Sequence, residues 1–223
     1  MHRFLLWSAA ACVALAVLLP VSHARAGVIF DQSSGYGLNS YLSDVLGGTA
    51  QADDFRLQPG GSTITGIHWW GKYGGLATTS QPDNFTIRIF ADNGGAPALD
   101  ALVELAVGAV DRTYPAVDYG IHTYSTQIEP LVLAADTTYW LSIVNDTTAL
   151  GPDNHFWYWT LDGNGNHVWR DFGTNTWVSG GWNMAFFLTD DPLTTVPEPA
   201  SLALFGAGLA GLAWVRRRRG KAA

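Results

Sequence analysis

Tryptophan side chains that could bind sugars are concentrated in the second half of the sequence. The chain contains 10 tryptophans, and five of them fall between residues 157 and 182. An indole offers a flat apolar face and a polar N–H group, which suits stacking on a sugar ring beside Asn and Asp side chains that bond hydroxyl groups. We therefore predict a carbohydrate-binding platform built from Trp157, Trp159, Trp169 and Trp177. The alternative is that these indoles fill the core of a domain that has no disulfide.

Paired carboxylates suggest a second kind of chemistry, the binding of a hard cation through oxygen ligands. Asp53 and Asp54 are adjacent in a strand-like segment, so their side chains point to opposite faces. One of them is a candidate ligand for a structural calcium ion, together with loop carbonyls, while the other faces solvent. The run 162–166 begins like a calcium loop, but His167 and Gly173 stand where an EF-hand needs glycine and glutamate. That run indicates a hairpin turn.

No motif for catalysis accompanies these residues. Neither a zinc-binding spacing of histidines nor a Gly-x-Ser-x-Gly elbow occurs in residues 27–196. Glu104 and Glu129 are the only glutamates of that segment, and no spacing selects a pair of catalytic carboxylates. We therefore expect a protein without enzymatic activity or cofactor. The alternatives are a polysaccharide hydrolase or lyase, and a purely structural surface protein without a ligand.

The charge balance excludes nucleic acid as a partner. Residues 27–196 contain five basic and eighteen acidic side chains, a net charge of −13, whereas the whole chain carries −7. Such a surface repels phosphate. The acidic surplus also fits simple solubility outside the cell. Cys12, the one cysteine of the chain, lies outside this segment, which therefore has no disulfide.

The elements that must position these side chains are short β-strands. Apolar and polar residues alternate in segments such as 84–90 and 138–144, and clusters of Gly, Asn, Asp and Pro separate the segments. A pattern of eight to ten short strands, without the rhythm of βα units, predicts an all-β, two-sheet antiparallel sandwich of jelly-roll type. Residues 27–189 form this domain, and residues 190–196 form a polar linker.

The amino terminus has the composition of a secretory signal peptide. A charged start at residues 1–3 precedes an apolar run, and Ala24 and Ala26 provide the small residues that a signal peptidase needs. We expect residues 1–26 to be removed by cleavage before Gly27. A retained membrane anchor is the alternative.

The carboxy terminus combines a short polar motif, an apolar helix and a basic stop. Val196, Pro197, Glu198 and Pro199 precede an apolar run over residues 200–215, which is followed by Arg216, Arg217, Arg218 and Arg219. A helix of this length covers about 24 Å, which is marginal for a bilayer core. The arginines favour a cytoplasmic position. An ordinary membrane anchor would share these features.

Residues 197–221 also resemble the PEP-CTERM sorting signal of Gram-negative bacteria, because motif, helix and basic cluster follow one another at the chain end. The resemblance implies recognition by an exosortase, which removes or exchanges the tail of a precursor held in the inner membrane. It further implies a destination at the cell surface or in the extracellular matrix. Proteins with this signal are commonly exported by bacteria that make exopolysaccharide and biofilm, so exopolysaccharide is the expected partner.

Overall fold

A computed structural model describes most of the segment between the two termini. The described residues are 27–33, 39–60, 63–74, 83–113, 120–150 and 156–190. The predicted signal peptide, including Ala24 and Ala26, lies outside them, and so do the linker beyond Asp190 and the sorting segment 197–221. Within these ranges, no helix has the length and apolar character needed to cross a bilayer.

The described residues form short strands joined by turns. The strands are β1 (Val28–Gln32), β2 (Ser40–Leu42), β3 (Thr49–Arg56), β4 (Thr63–Tyr73), β5 (Phe85–Ala91), β6 (Val103–Gly108), β7 (Asp111–Thr113), β8 (Ile121–Val132), β9 (Thr138–Asn145), β10 (Trp157–Asn164), β11 (Val168–Asp171), β12 (Val178–Ser179), β13 (Trp182–Met184) and β14 (Phe186–Thr189). One turn of 3₁₀ helix, Thr148–Leu150, follows β9.

These strands form two antiparallel sheets. The eight-stranded sheet is built around β4, which pairs with β8 along one edge and with β14 and then β10 along the other. Strands β1, β2, β7 and β13 complete that sheet. The six-stranded sheet has the order β12-β11-β3-β9-β5-β6. The prediction of an all-β fold with two antiparallel sheets is therefore confirmed.

The two-residue period of each strand decides what is buried. In β4, Ile67 and Trp69 are buried between the sheets, whereas His68 and Trp70 point outward. Across the core, Phe85 of β5 meets the Trp157 indole edge-on, with ring centroids 5.0 Å apart and planes at 82°. Burying each such side chain contributes roughly 1.5–3 kcal/mol, so this layer supplies most of the stabilisation of a disulfide-free domain.

Two buried aspartates connect elements that are far apart in sequence. Asp44 accepts hydrogen bonds from Leu46 N at 2.8 Å, from Thr147 Oγ1 at 2.7 Å and from Trp157 N at 3.0 Å. Asp53 of β3 accepts from the Gln32 amide at 2.6 Å and from Met184 N, so it joins the six-stranded sheet to the eight-stranded one. Buried carboxylates persist only with such donors.

The predicted hairpin at residues 162–166 is wrong. Strand β10, which includes residues 162–164 of this run, belongs to the eight-stranded sheet and pairs with β2, β4 and β13, whereas β11 after it pairs with β3 and β12 of the other sheet. The Gly- and Asn-rich run therefore carries the chain from one sheet to the other. Its composition indicates a change of direction but does not identify the next pairing partner.

Candidate functional site

The structure removes two residues from the predicted carbohydrate platform. Trp157 and Trp159 have 0% of their surface exposed. They are two positions apart on β10, so both point into the core, and Trp159 donates its indole N–H to Ala185 O at 3.0 Å. Neither indole offers a face to a sugar. The prediction is wrong for this pair because alternation along a strand separates two faces without showing which face the second sheet covers.

The other two predicted tryptophans lie at the six-stranded sheet and are both half-buried. Trp177 packs on the outer face of that sheet, with its ring 4.5 Å from the Arg170 guanidinium and 5.9 Å from the Phe90 ring. Trp169 lies between Val168 and Arg170 on β11, so its side chain points to the opposite side from theirs. None of the four predicted platform residues lines the cavity on this outer face, although Trp177 packs against the apolar cluster that contains Trp140 and Val168 of its lining.

That cavity, which we call the outer pocket, is an open depression of about 350 Å³. Its floor is apolar, because Trp140 of β9 and Val168 of β11 are almost completely buried beneath it. Its rim is polar and solvent-exposed or half-exposed. The lining residues are Asp54, Asp92, Gly95, Thr138, Trp140, Asn166, Val168 and Ser179.

Two carboxylates dominate the electrostatics of the outer pocket. Asp92 Oδ1 accepts from the Trp140 indole N–H at 2.8 Å and from Gly95 N at 3.2 Å. Asp54 accepts from the Asn166 side chain. Burial raises the pKa of Asp54, and the negative charge of Asp92 raises it further. Over the described ranges neither carboxylate forms an ion pair with a basic residue, since the salt bridges there involve other acids.

Strand order explains why these residues meet. Strand β9 lies between β3 and β5, so Trp140 is opposite Asp54 on one side and opposite Phe90 on the other. Asp92 follows directly after β5, and Asn166 belongs to the segment that crosses between the sheets. Sequence reasoning selected Asp54 but missed Asp92, because only the pairing of β5 with β9 brings residue 92 near residue 54.

The two predicted calcium ligands do not share a site. Asp53 faces the interior, where desolvation raises its pKa to about 8 although Met184 N and the Gln32 amide donate to it. Asp54 faces the outer pocket. In the part of the chain that the structure describes, no three His, Cys, Asp or Glu side chains are grouped so as to hold a metal ion.

The eight-stranded sheet carries an aromatic row that the sequence analysis missed. The His68 and Phe187 rings stack in parallel, with centroids 4.1 Å apart and planes at 4°, and Trp70 is tilted against Phe187 at 5.7 Å. All three side chains are half-exposed on the outer face. The alternation in β4 could have predicted this row, because the side chains of residues 68 and 70 point away from the core, to which residues 67 and 69 point.

A further polar cluster lies inside the sandwich rather than at its surface. Arg112 forms a salt bridge with Asp83 at 3.1 Å, Asp83 accepts from the Tyr73 hydroxyl at 2.7 Å, and Tyr73 accepts from the Asn145 amide at 2.9 Å. Burial, together with the nearby Arg112 charge, lowers the pKa of His122 to about 4, so this imidazole is neutral at physiological pH. The contacts among Arg112, Asp83, Tyr73 and Asn145 tie β4, β7 and β9 together.

Comparison with known proteins identifies the carboxy-terminal segment. Residues 195–219 match the family model described as the PEP-CTERM protein-sorting motif. The chain carries this sorting motif. The PEP-CTERM motif indicates an exported protein that is sorted by an exosortase, with a destination at the cell surface or outside the cell, typically in Gram-negative bacteria.

The comparisons say less about the folded domain. None of the curated proteins matches the chain significantly. A solved structure, the cysteine protease and lectin-like domains of Cwp84, a surface layer associated protein of Clostridium difficile, aligns with 10% sequence identity and a TM-score of 0.44. The alignment covers 64% of this chain and 32% of that chain. A likeness at this level carries no conclusion about the function of the domain.

Proposed function

We propose that the protein is an exported, exosortase-processed β-sandwich that contacts exopolysaccharide in the biofilm matrix through its outer pocket and has no enzymatic activity. The sorting motif at residues 195–219 is the observation that carries the proposal, because it delivers the domain to the surface or the matrix. Before processing, the apolar run 200–215 holds the precursor in the inner membrane, with Arg216–Arg219 on the cytoplasmic side.

The composition of the outer pocket supports a carbohydrate ligand. An apolar floor surrounded by a few polar groups is the usual arrangement of a small-molecule site, and about 350 Å³ lies within the range of such sites. Asn166, Thr138 and Ser179 offer donors and acceptors suited to hydroxyl groups. Trp177 adds a half-buried aromatic edge on the same face.

The aromatic row of His68, Trp70 and Phe187 is the competing contact surface. Asp31 of β1 lies opposite Phe187 beside this row, whereas the outer pocket combines an apolar floor with amide and hydroxyl side chains on its rim, so we assign polysaccharide contact to the pocket. Variants separate the two surfaces. Trp70→Ala combined with Phe187→Ala removes the row, whereas Asp92→Ala combined with Trp177→Ala alters the pocket region.

Hydrolysis of the polysaccharide is a second candidate function, favoured by the two carboxylates in one pocket. A glycosidase needs one protonated and one ionised carboxyl group on either side of the scissile bond. Burial and the negative charge of Asp92 raise the pKa of Asp54, which favours Asp54 as the carboxyl group that keeps its proton. Release of reducing ends by the wild type, lost in both Asp54→Asn and Asp92→Asn, would establish this candidate over binding alone.

The proposal is tested by co-sedimentation of the purified full chain with matrix polysaccharide from a biofilm-forming Gram-negative bacterium. We expect the wild type and the Trp70/Phe187 variant to sediment with the polysaccharide, and the Asp92/Trp177 variant to stay in solution. Unchanged sedimentation of the pocket variant would refute the pocket assignment. A wild type that does not sediment would refute polysaccharide contact itself.

A further inference from the structure

We infer that the outer pocket selects cationic amino sugars over neutral and acidic sugars. This inference rests on the proposed function and specifies the class of sugar. Its basis is the pair of carboxylates, Asp54 and Asp92, that line one small pocket without a basic partner among the described residues. Their hydrogen-bond donors are neutral: an indole N–H, a backbone amide and an Asn side chain.

The arrangement leaves negative charge uncompensated. The half-buried carboxylate of Asp54 and the exposed carboxylate of Asp92 repel each other in one depression, and a cation placed between them would relieve the repulsion. Hydrogen bonds between an ammonium group and a carboxylate are about twice as strong as neutral ones. A sugar that carries a free amine therefore gains an interaction that its N-acetylated counterpart cannot make.

The surrounding charge works in the same direction. The segment 27–196 carries −13, so a chain of uronic acids is repelled by the domain as a whole and by the pocket in particular. Within the domain, Arg88 pairs with Glu104 at 2.7 Å and Arg170 lies beneath Trp177, so these cations of the same sheet are already engaged. Charge complementarity thus favours a polycationic sugar chain.

An organic ammonium group fits the pocket better than a divalent metal ion. Calcium takes roughly six to eight oxygen ligands and normally several carboxylates. The outer pocket supplies only Asp54 and Asp92 as acids, and within the described ranges no third acid or histidine joins them. The apolar floor of Trp140 and Val168 suits the carbon face of a sugar ring, whereas it supplies no oxygen ligand for a metal ion.

The test measures binding of the purified full chain to three probes by isothermal titration calorimetry: a glucosamine hexamer, an N-acetylglucosamine hexamer and a uronic acid hexamer, all at pH 6 and low salt. We expect the glucosamine hexamer to bind about tenfold more tightly than the acetylated one, and the uronate to bind weakest. Asp54→Asn and Asp92→Asn should each remove the preference. Glu129→Gln, which changes the net charge equally at an exposed position, should keep it.

Each other outcome overturns a defined part of the account. Equal or tighter binding of the acetylated hexamer would overturn the selection of amino sugars while leaving polysaccharide contact in place. A preference that survives in both Asp variants would place the site elsewhere. Calcium that binds with high affinity and displaces the glucosamine hexamer would make the pocket a metal site. Failure of every hexamer to bind would refute this inference, while co-sedimentation with matrix polysaccharide decides the proposed function separately.

Discussion

The stability of the domain should fall as the pH rises through neutrality, because of Asp53. This side chain has no exposed surface, and desolvation raises its pKa from 3.8 to about 8. Between those two pH values, the folded state therefore binds a proton that the unfolded state has released. The stabilisation associated with this proton is complete at low pH and is lost as the pH rises towards the folded-state pKa.

The buried His122 acts in the opposite direction over a lower pH range. Its pKa falls from 6.5 to about 4, so its contribution to stability is present above pH 6.5 and is lost as the pH drops through 4. Near pH 6.5 the unfolded state still binds part of a proton at His122 and at His167, whose pKa burial also lowers, so these two histidines offset part of the decrease that Asp53 causes. The full slope of about 1.4 kcal/mol for each pH unit flattens as the pH approaches the folded-state pKa, so the free energy of unfolding should fall by about 1 kcal/mol between pH 6.5 and pH 8.

Urea unfolding of the purified protein, followed by tryptophan fluorescence at several pH values, measures this slope. In Asp53→Asn, which keeps the size and one acceptor oxygen but cannot ionise, the decrease should disappear. Asp100→Asn removes an exposed carboxyl group and serves as the control, with the wild-type slope expected. A wild-type stability that is constant or rises between pH 6.5 and 8, or an unchanged slope in Asp53→Asn, would refute the reasoning.

Two further predictions concern the packing of the tryptophans. In Gly71→Ala the new Cβ would lie 2.3 Å from Trp157 Cζ2, so the free energy of unfolding should drop by about 1–3 kcal/mol. In Gly74→Ala the new Cβ meets the half-buried Tyr158 ring at 2.9 Å, and the loss should be less than half as large. Equal losses in the two variants would contradict this difference in packing. Trp157→Ala should lower the free energy of unfolding by about 3–5 kcal/mol in a urea assay, because this indole is fully buried. Trp177→Ala should lower it by about half as much and should also weaken polysaccharide binding. A larger loss of stability for Trp177→Ala than for Trp157→Ala would contradict the burial of these two side chains.

Alternation in the sequence was sufficient to find the longer strands and the opposite orientations of neighbouring side chains. The eight to ten strands expected compare with fourteen in the described residues, because strands of two or three residues, such as β2, β7 and β12, are too short to show alternation. The segments 84–90 and 138–144 correspond to β5 and β9, and Asp53 and Asp54 lie on opposite faces of β3. Such information is local, because the two-residue period is a property of the strand itself. The two-sheet architecture followed from the number and shortness of these strands.

Long-range pairing was not available from the sequence, and the errors arose there. The run 162–166 was predicted to be a hairpin, yet it crosses between the sheets. Trp157 and Trp159 were assigned to a platform because nothing local shows which face of β10 the second sheet covers. Asp92 joins Asp54 only because β9 lies between β3 and β5. The candidate site thus depends on strand order, which local patterns do not encode.

The processing of the chain ends tests the central claim most directly, and mass spectrometry of the protein isolated from its native cells measures it. The account predicts a mature protein that begins at Gly27 and lacks the tail beyond the Pro197-Glu198-Pro199 motif. With these three residues replaced by alanine, the tail should stay attached and the protein should remain in the inner membrane. An uncleaved chain inside the cell, or equal tail removal in the alanine variant, would contradict export and exosortase processing.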